Sequence, residues 1–104
     1  MEVIQDYQGM PIRFTEERRQ HILEHPEMIE MFEFIEETLS DPEKVVESIG
    51  DPKARLYYRY YLKTCVGGKF LCVVVKCKQD DAFVLTAYLT DKAKKGKVLW
   101  TKKI

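Results

Sequence analysis

A chain of 104 residues has room for one sheet-and-helix core and not for two, so residues 1–104 are expected to form a single domain. With 45% hydrophobic and 33% charged side chains and no apolar run near the length of a bilayer span, the composition is that of an ordinary globular domain and argues against a membrane partner. The net charge of zero hides a division: the first 52 residues carry fourteen acidic and four basic side chains and the last 52 carry thirteen basic and three acidic, so a phosphate backbone could still meet a strongly positive local field.

The start, Met1-Glu2-Val3-Ile4-Gln5-Asp6, lacks the basic stretch and apolar core of a secretory signal, and a cytoplasmic location is expected. Residues 3–5 and 12–14 can form short strands about the Gly9-Met10-Pro11 turn. Thr15 is placed to N-cap a first helix, with Glu16 and Glu17 in its first turn, and Pro26 ends that helix near His25. Pro26 then opens a second helix over residues 26–39, where Met28, Phe32, Ile35 and Leu39 form one apolar stripe opposite Glu30, Glu33 and Glu37. After the Asp41-Pro42 break, residues 44–49, 55–63, 69–78 and 82–90 read as strands joined by hairpin-compatible turns. Residues 70–75 are apolar on both parities and suit a central strand. Residues 92–97 make a basic loop, and Val98-Leu99-Trp100 is a tail that packs back on the body. The expected fold is α+β: two N-terminal helices packed on a four-stranded antiparallel β-meander.

Three cysteines, Cys65, Cys72 and Cys77, with no CxxC pair argue against a disulfide framework or a zinc site, and suit small buried hydrophobes. Residues 55–63 alternate, with Leu56, Tyr58, Tyr60 and Leu62 on one face and Arg55, Tyr57, Arg59 and Tyr61 on the other. An open Arg/Tyr row could hold phosphates and stack bases; it reads equally well as cross-strand packing with surface arginines. Along residues 82–90, Phe83, Leu85, Ala87 and Leu89 form an apolar face, leaving Thr86, Tyr88 and Thr90 to share the open side with Arg55 and Arg59. His21 and His25 have H-x-x-x-H spacing. Pro26 and the want of a third ligand weaken a metal site, and no cofactor is implied; His21 suits a general acid or base, and His25 a structural cap at the second helix.

Three stretches then resemble a known group: residues 15–27, which contain HILEHPE; residues 56–61, which contain YYRYY; and residues 83–91, which contain TAYLT, with Gly96 to Trp100 behind them. Together they are similar to small phage and bacterial proteins of the barnase–EndoU–colicin–RelE-like nuclease superfamily. The resemblance implies metal-independent RNA cleavage on a sheet with N-terminal helices. It implies His21 as acid or base, Arg59 on the scissile phosphate, and Thr86 and Tyr88 orienting it. Substrate contacts would come from His25, Arg55, Tyr57, Tyr61, Thr90, Lys92 and Lys95. The function expected is a toxin-like or phage-derived endoribonuclease with RNA as partner and an acidic antitoxin or immunity protein as a second one. The alternative is a non-catalytic RNA-binding or protein-interaction domain on the same scaffold. The nuclease reading requires Arg55, Arg59, Thr86 and Tyr88 to converge on one open patch near His21.

Overall fold

The computed structural model describes residues 2–103. Its strands are β1 (Glu2–Gln5), β2 (Pro11–Phe14), β3 (Lys44–Glu47), β4 (Ala54–Tyr61), β5 (Lys69–Lys78), β6 (Asp81–Thr90) and β7 (Lys97–Thr101). Between β2 and β3 lie helix α1 (Glu16–Leu23), a 3-10 helix (Pro26–Met31) and helix α2 (Phe34–Ser40). The strands form a single seven-stranded sheet in the order β1-β2-β6-β5-β4-β3-β7. All neighbours are antiparallel except β2 and β6, which meet in parallel at Arg13 and Phe83. No helix among the described residues is long and apolar enough to cross a membrane.

This corrects the expected architecture of two helices on a four-stranded antiparallel meander. The sheet is mixed and gains three strands, and the helical layer has three pieces. The β1–β2 hairpin turns at Gly9, whose φ of 83° suits a residue without a Cβ, and delivers Ile12 and Phe14 to the core. The tail becomes β7, pairing along β3 from Glu47–Lys97 to Lys44–Thr101. The single helix expected over residues 26–39 is divided. Met28 and Met31 are both buried, and the three-residue turn of a 3-10 helix sets them on one side, whereas an α-helix resumes to bury Ile35 and Leu39.

The helices cover one side of the sheet. Between them and the sheet lie Ile12, Phe14, Ile22, Met28, Ile35, Leu39, Val45, Tyr57, Leu71, Val73, Val84 and Ala87. Thr15 caps α1 as expected, accepting the Arg18 N–H at 3.3 Å. The opposite, outer side has its own smaller cluster of Val46, Ala54, Leu56, Tyr58, Cys72 and Val74. What covers it is the connection from β6 to β7. Residues 91–96 leave β6, cross over β5 and β4, and reach β3 at the far side of the sheet. Ala93 packs on the outer cluster, and the Lys94 backbone N–H donates to the Tyr58 hydroxyl at 2.9 Å. Gly96 ends this strap against β3, where a Cβ would overlap the Glu47 carbonyl oxygen. The sheet is therefore covered on both sides, by helices on one and by a lysine-rich strap on the other. Of the cysteines, Cys72 is buried, Cys77 half-buried and Cys65 exposed, so the expectation of burial fails for Cys65.

Candidate active site

The register of β4 decides where its side chains go. Tyr57 pairs with Val73 and Arg59 with Leu71, both of which face the helices, so the Arg55, Tyr57, Arg59 and Tyr61 row lies on the helix side. Tyr57 is wholly buried and donates to the Asp6 carboxylate at 2.8 Å; Asp6 also accepts the Gln8 and Met10 N–H groups at 2.9 Å. Burial first, and Asp6 second, raise the Tyr57 pKa far above that of a free phenol. Arg55 is half-buried. The Tyr61 hydroxyl meets Glu37 at 2.7 Å. Arg59 is clamped: its guanidinium lies 3.3 Å from the Glu37 carboxylate and 3.2 Å from that of Asp41, and it donates to the Asp41 carbonyl at 2.7 Å.

Thr86, Tyr88 and Thr90 lie on the other side. They pair with Val74, Cys72 and Phe70, all of the outer face. A β-bulge at Leu85 puts them there, because Val75 pairs with Val84 while Val74 pairs with Thr86. The bulge also turns Val84 inward and leaves Phe83 beneath Arg13, 5.7 Å from its guanidinium carbon, which reverses the expected facing of this part of the strand. The expected patch of Arg55, Arg59, Thr86 and Tyr88 is thus divided by the thickness of the sheet, and this is a correction. Tyr88 stands in register with Cys72 and Tyr58 across three strands, beneath the strap. The Lys94 ammonium lies 5.6 Å from the Tyr88 ring centre, and burial pushes the Cys72 thiol up to about 11.

A different set of residues does come together. A cleft of about 420 Å³ opens where β6 ends and β5 begins, lined by Glu27, Val66, Lys69, Leu89, Thr90 and Asp91. The 3-10 helix brings Glu27, whose carboxylate lies 3.9 Å from His25 Nδ1. His25 occupies the N-cap position with extended backbone, yet its imidazole makes no capping hydrogen bond and is exposed. His21, also exposed in the last turn of α1, faces it with ring centres 6.3 Å apart and planes nearly perpendicular. From the sheet come Lys69, ion-paired to Asp91, and Thr90, which donates to the Lys92 carbonyl at 3.2 Å. The β4–β5 loop closes the cleft, turning at Gly67 (φ 89°) and touching the Glu27 carbonyl through Cys65 at 3.8 Å.

Arg13, Arg19, Arg59, Lys69, Lys76 and Lys102 are each paired to a carboxylate. Lys92, Lys94 and Lys95 of the strap, and Lys97 just after it in β7, are exposed and in none of these ion pairs among the described residues. The strap thus brings a run of uncompensated cations past the end of β6, where the cleft lies. Among the described residues no group of three or more His, Cys, Asp or Glu is arranged to hold a metal ion.

A model of the phage-Barnase-EndoU-ColicinE5/D-RelE like nuclease2 family (PBECR2) matches residues 1–101. The chain belongs to that family. Searches of curated proteins and of solved structures gave no match. Membership in PBECR2 covers both the helical layer and the whole sheet, so the cleft and the strap lie within the matched residues. Of the residues singled out in the sequence, Thr90 lines the cleft, Lys92 and Lys95 lie on the strap, and His25 is linked to the cleft through Glu27, with His21 next to His25. Lys69, Asp91 and Glu27 are new. Glu27 could have been found in the HPE stretch, two residues beyond His25; the Lys69–Asp91 pair could not, since it depends on the bulged register.

Proposed function

We propose that this PBECR2 chain is a metal-independent endoribonuclease whose chemistry centres on the cleft beside His25. His25, 3.9 Å from the Glu27 carboxylate, takes the proton of a ribose 2′-hydroxyl, and the oxygen attacks the adjacent phosphorus. The bond from phosphorus to the 5′-oxygen breaks, and His21 returns a proton to that leaving oxygen. The products are a 2′,3′-cyclic phosphate and a free 5′-hydroxyl. Two proton-transfer groups, each within about 3 Å of an oxygen on opposite sides of a phosphate, suit rings whose centres are 6.3 Å apart. Lys92, the Thr90 hydroxyl and Lys69 answer the charge that builds on the non-bridging oxygens. Phosphate has to displace Asp91 from Lys69, so Lys92 makes first contact.

The observation that carries this reading is the junction of the His25–Glu27 pair with Lys69, Thr90 and Asp91 at one cleft, next to unpaired strap lysines. Arg59, clamped by Glu37 and Asp41 on the helix side, has no part in it. The test is incubation of purified protein with total RNA, with and without EDTA. Fragments ending in 2′,3′-cyclic phosphate at equal rates in both reactions are expected. Intact RNA, or cleavage abolished by EDTA, overturns the proposal. One observation favours a second reading, a non-catalytic RNA-binding domain: the exposed strap lysines can meet phosphates without any chemistry in the cleft, whose Glu27 and Asp91 repel them. That reading predicts salt-sensitive RNA binding without new ends.

A further inference from the structure

Tyr60 is an exposed aromatic ring, 40% accessible, that is nonetheless held in place. It packs edge to face on Phe70 with centres 5.1 Å apart, and Phe70 packs the same way on buried Tyr58 at 6.2 Å. Its backbone N–H is held by Glu43 at 3.2 Å. Gly68, across the β4–β5 hairpin, makes room for it, since a Cβ there would overlap the Tyr60 hydroxyl. In either sense of a perpendicular pair, a ring keeps at least one face clear of that partner. Tyr60, Phe70 and Thr90 form one row across β4, β5 and β6 on the outer face. Tyr60 thus stands roughly 10 Å from Thr90 at the usual strand spacing, within reach of the nucleotide next to one held in the cleft. The same hairpin supplies Val66 to the cleft wall, and the strap lysines begin two residues after Thr90.

A braced exposed ring on the same sheet face as a lysine-bearing strap is the combination that single-stranded nucleic acid uses, with bases stacked on rings and phosphates met by lysines. We infer that Tyr60, braced by Phe70, is a stacking subsite for an unpaired base adjoining the cleaved phosphate, and that the substrate is single-stranded RNA. The inference rests on the nuclease reading for the identity of the polymer. A base inside a duplex has both faces occupied by its neighbours and cannot use this ring.

The test measures binding of a short single-stranded 2′-O-methyl RNA, which lacks the attacking hydroxyl, and of its duplex, by fluorescence anisotropy. Wild type should prefer the single strand. Tyr60→Leu should weaken single-strand binding by roughly 5- to 100-fold while duplex binding changes little, and Tyr60→Phe should restore it. Gly68→Ala, which keeps the ring but displaces it, should weaken single-strand binding in the same direction. Thermal midpoints of all variants separate loss of stacking from loss of fold. Unchanged binding by folded Tyr60→Leu, or equal binding of single strand and duplex by wild type, overturns the inference. So does a concentration-dependent dimer that Tyr60→Leu dissolves, which would assign the ring to a second copy. Tyr60-dependent binding with no cleavage of unmodified RNA removes the nuclease reading and keeps the subsite; cleavage indifferent to Tyr60 does the reverse.

Discussion

Tyr57 reaches across the core to a carboxylate that three donors satisfy: its own hydroxyl and the N–H groups of Gln8 and Met10. Asp6 is only 5% exposed, so removing one donor leaves a buried oxygen short of a partner. Tyr57→Phe should therefore lower stability by about 1–3 kcal/mol, read as a fall in thermal midpoint of roughly 4–8 °C per kcal/mol for a domain of this size. RNA cleavage by the folded fraction should be unchanged. Arg59→Ala belongs to the same class. Its carboxylate partners are about half exposed, which limits the loss to about 1 kcal/mol. Sequence alternation alone pointed the Arg/Tyr row outward because Leu56 and Tyr58 are the more apolar parity. The strap buries Leu56 and Tyr58 as well, at 5% and 0% exposure, so both parities of β4 are inside and hydrophobicity no longer distinguishes them. The partners do: Asp6 for Tyr57, and Glu37 with Asp41 for Arg59.

At the scale of elements, the strap of residues 91–96 combines two jobs. It covers the outer cluster through Ala93 and the Lys94–Tyr58 hydrogen bond, and it carries cations past the mouth of the cleft. Replacing Lys92 and Lys95 by Gln should weaken RNA binding and flatten its salt dependence by about 0.7 in the log–log slope per lost phosphate contact on a single strand. Stability should hold, since neither lysine has an ion-pair partner among the described residues. A full slope after both changes would mean that phosphate is met elsewhere. The lysines, the HPE stretch and Thr90 were legible in the sequence because each is local. The bulge at Leu85 was not, and it turns Val84 to the helix side against expectation and brings Lys69 opposite Asp91. β1 and β2 were legible as short strands about the Gly9 turn, whereas β7, five residues long, was legible only as a tail packing on the body and exists as a strand because it pairs with β3 at the sheet's margin.

Over the whole molecule, three basic residues of the second half are taken up by acids of the first. Arg59 and Lys102 pair with Asp41, and Lys76 pairs with Asp51, each joining the two halves. Asp41 ties the end of β7 to the α2–β3 corner. The hydrogen bond from Lys102, with help from Arg59, holds its carboxyl below the ordinary aspartate value despite an opposing effect of desolvation. A carboxylate depressed in the folded state adds stability that is present above the unfolded value of about 3.9 and is lost as pH falls through the folded one. The tail should thus stay docked from neutrality to about pH 5 and loosen below about pH 4. Trp100 reports it, packed on Tyr7 with ring centres 4.7 Å apart. Its fluorescence should shift toward that of a solvated indole on acidification, and Asp41→Asn should produce part of that shift at neutral pH. A Trp100 signal flat to pH 3, or unmoved by Asp41→Asn, would remove this clamp.

The location of the chemistry is tested most directly by single-turnover cleavage of one defined single-stranded RNA in EDTA. Wild type is compared there with His21→Ala, His25→Ala and Arg59→Ala, each shown to be folded. Each histidine variant should lose about 10²–10⁴-fold in rate, while Arg59→Ala cleaves at close to the wild-type rate. Histidine variants as fast as wild type, or a collapse confined to Arg59→Ala, would contradict an active site at the cleft.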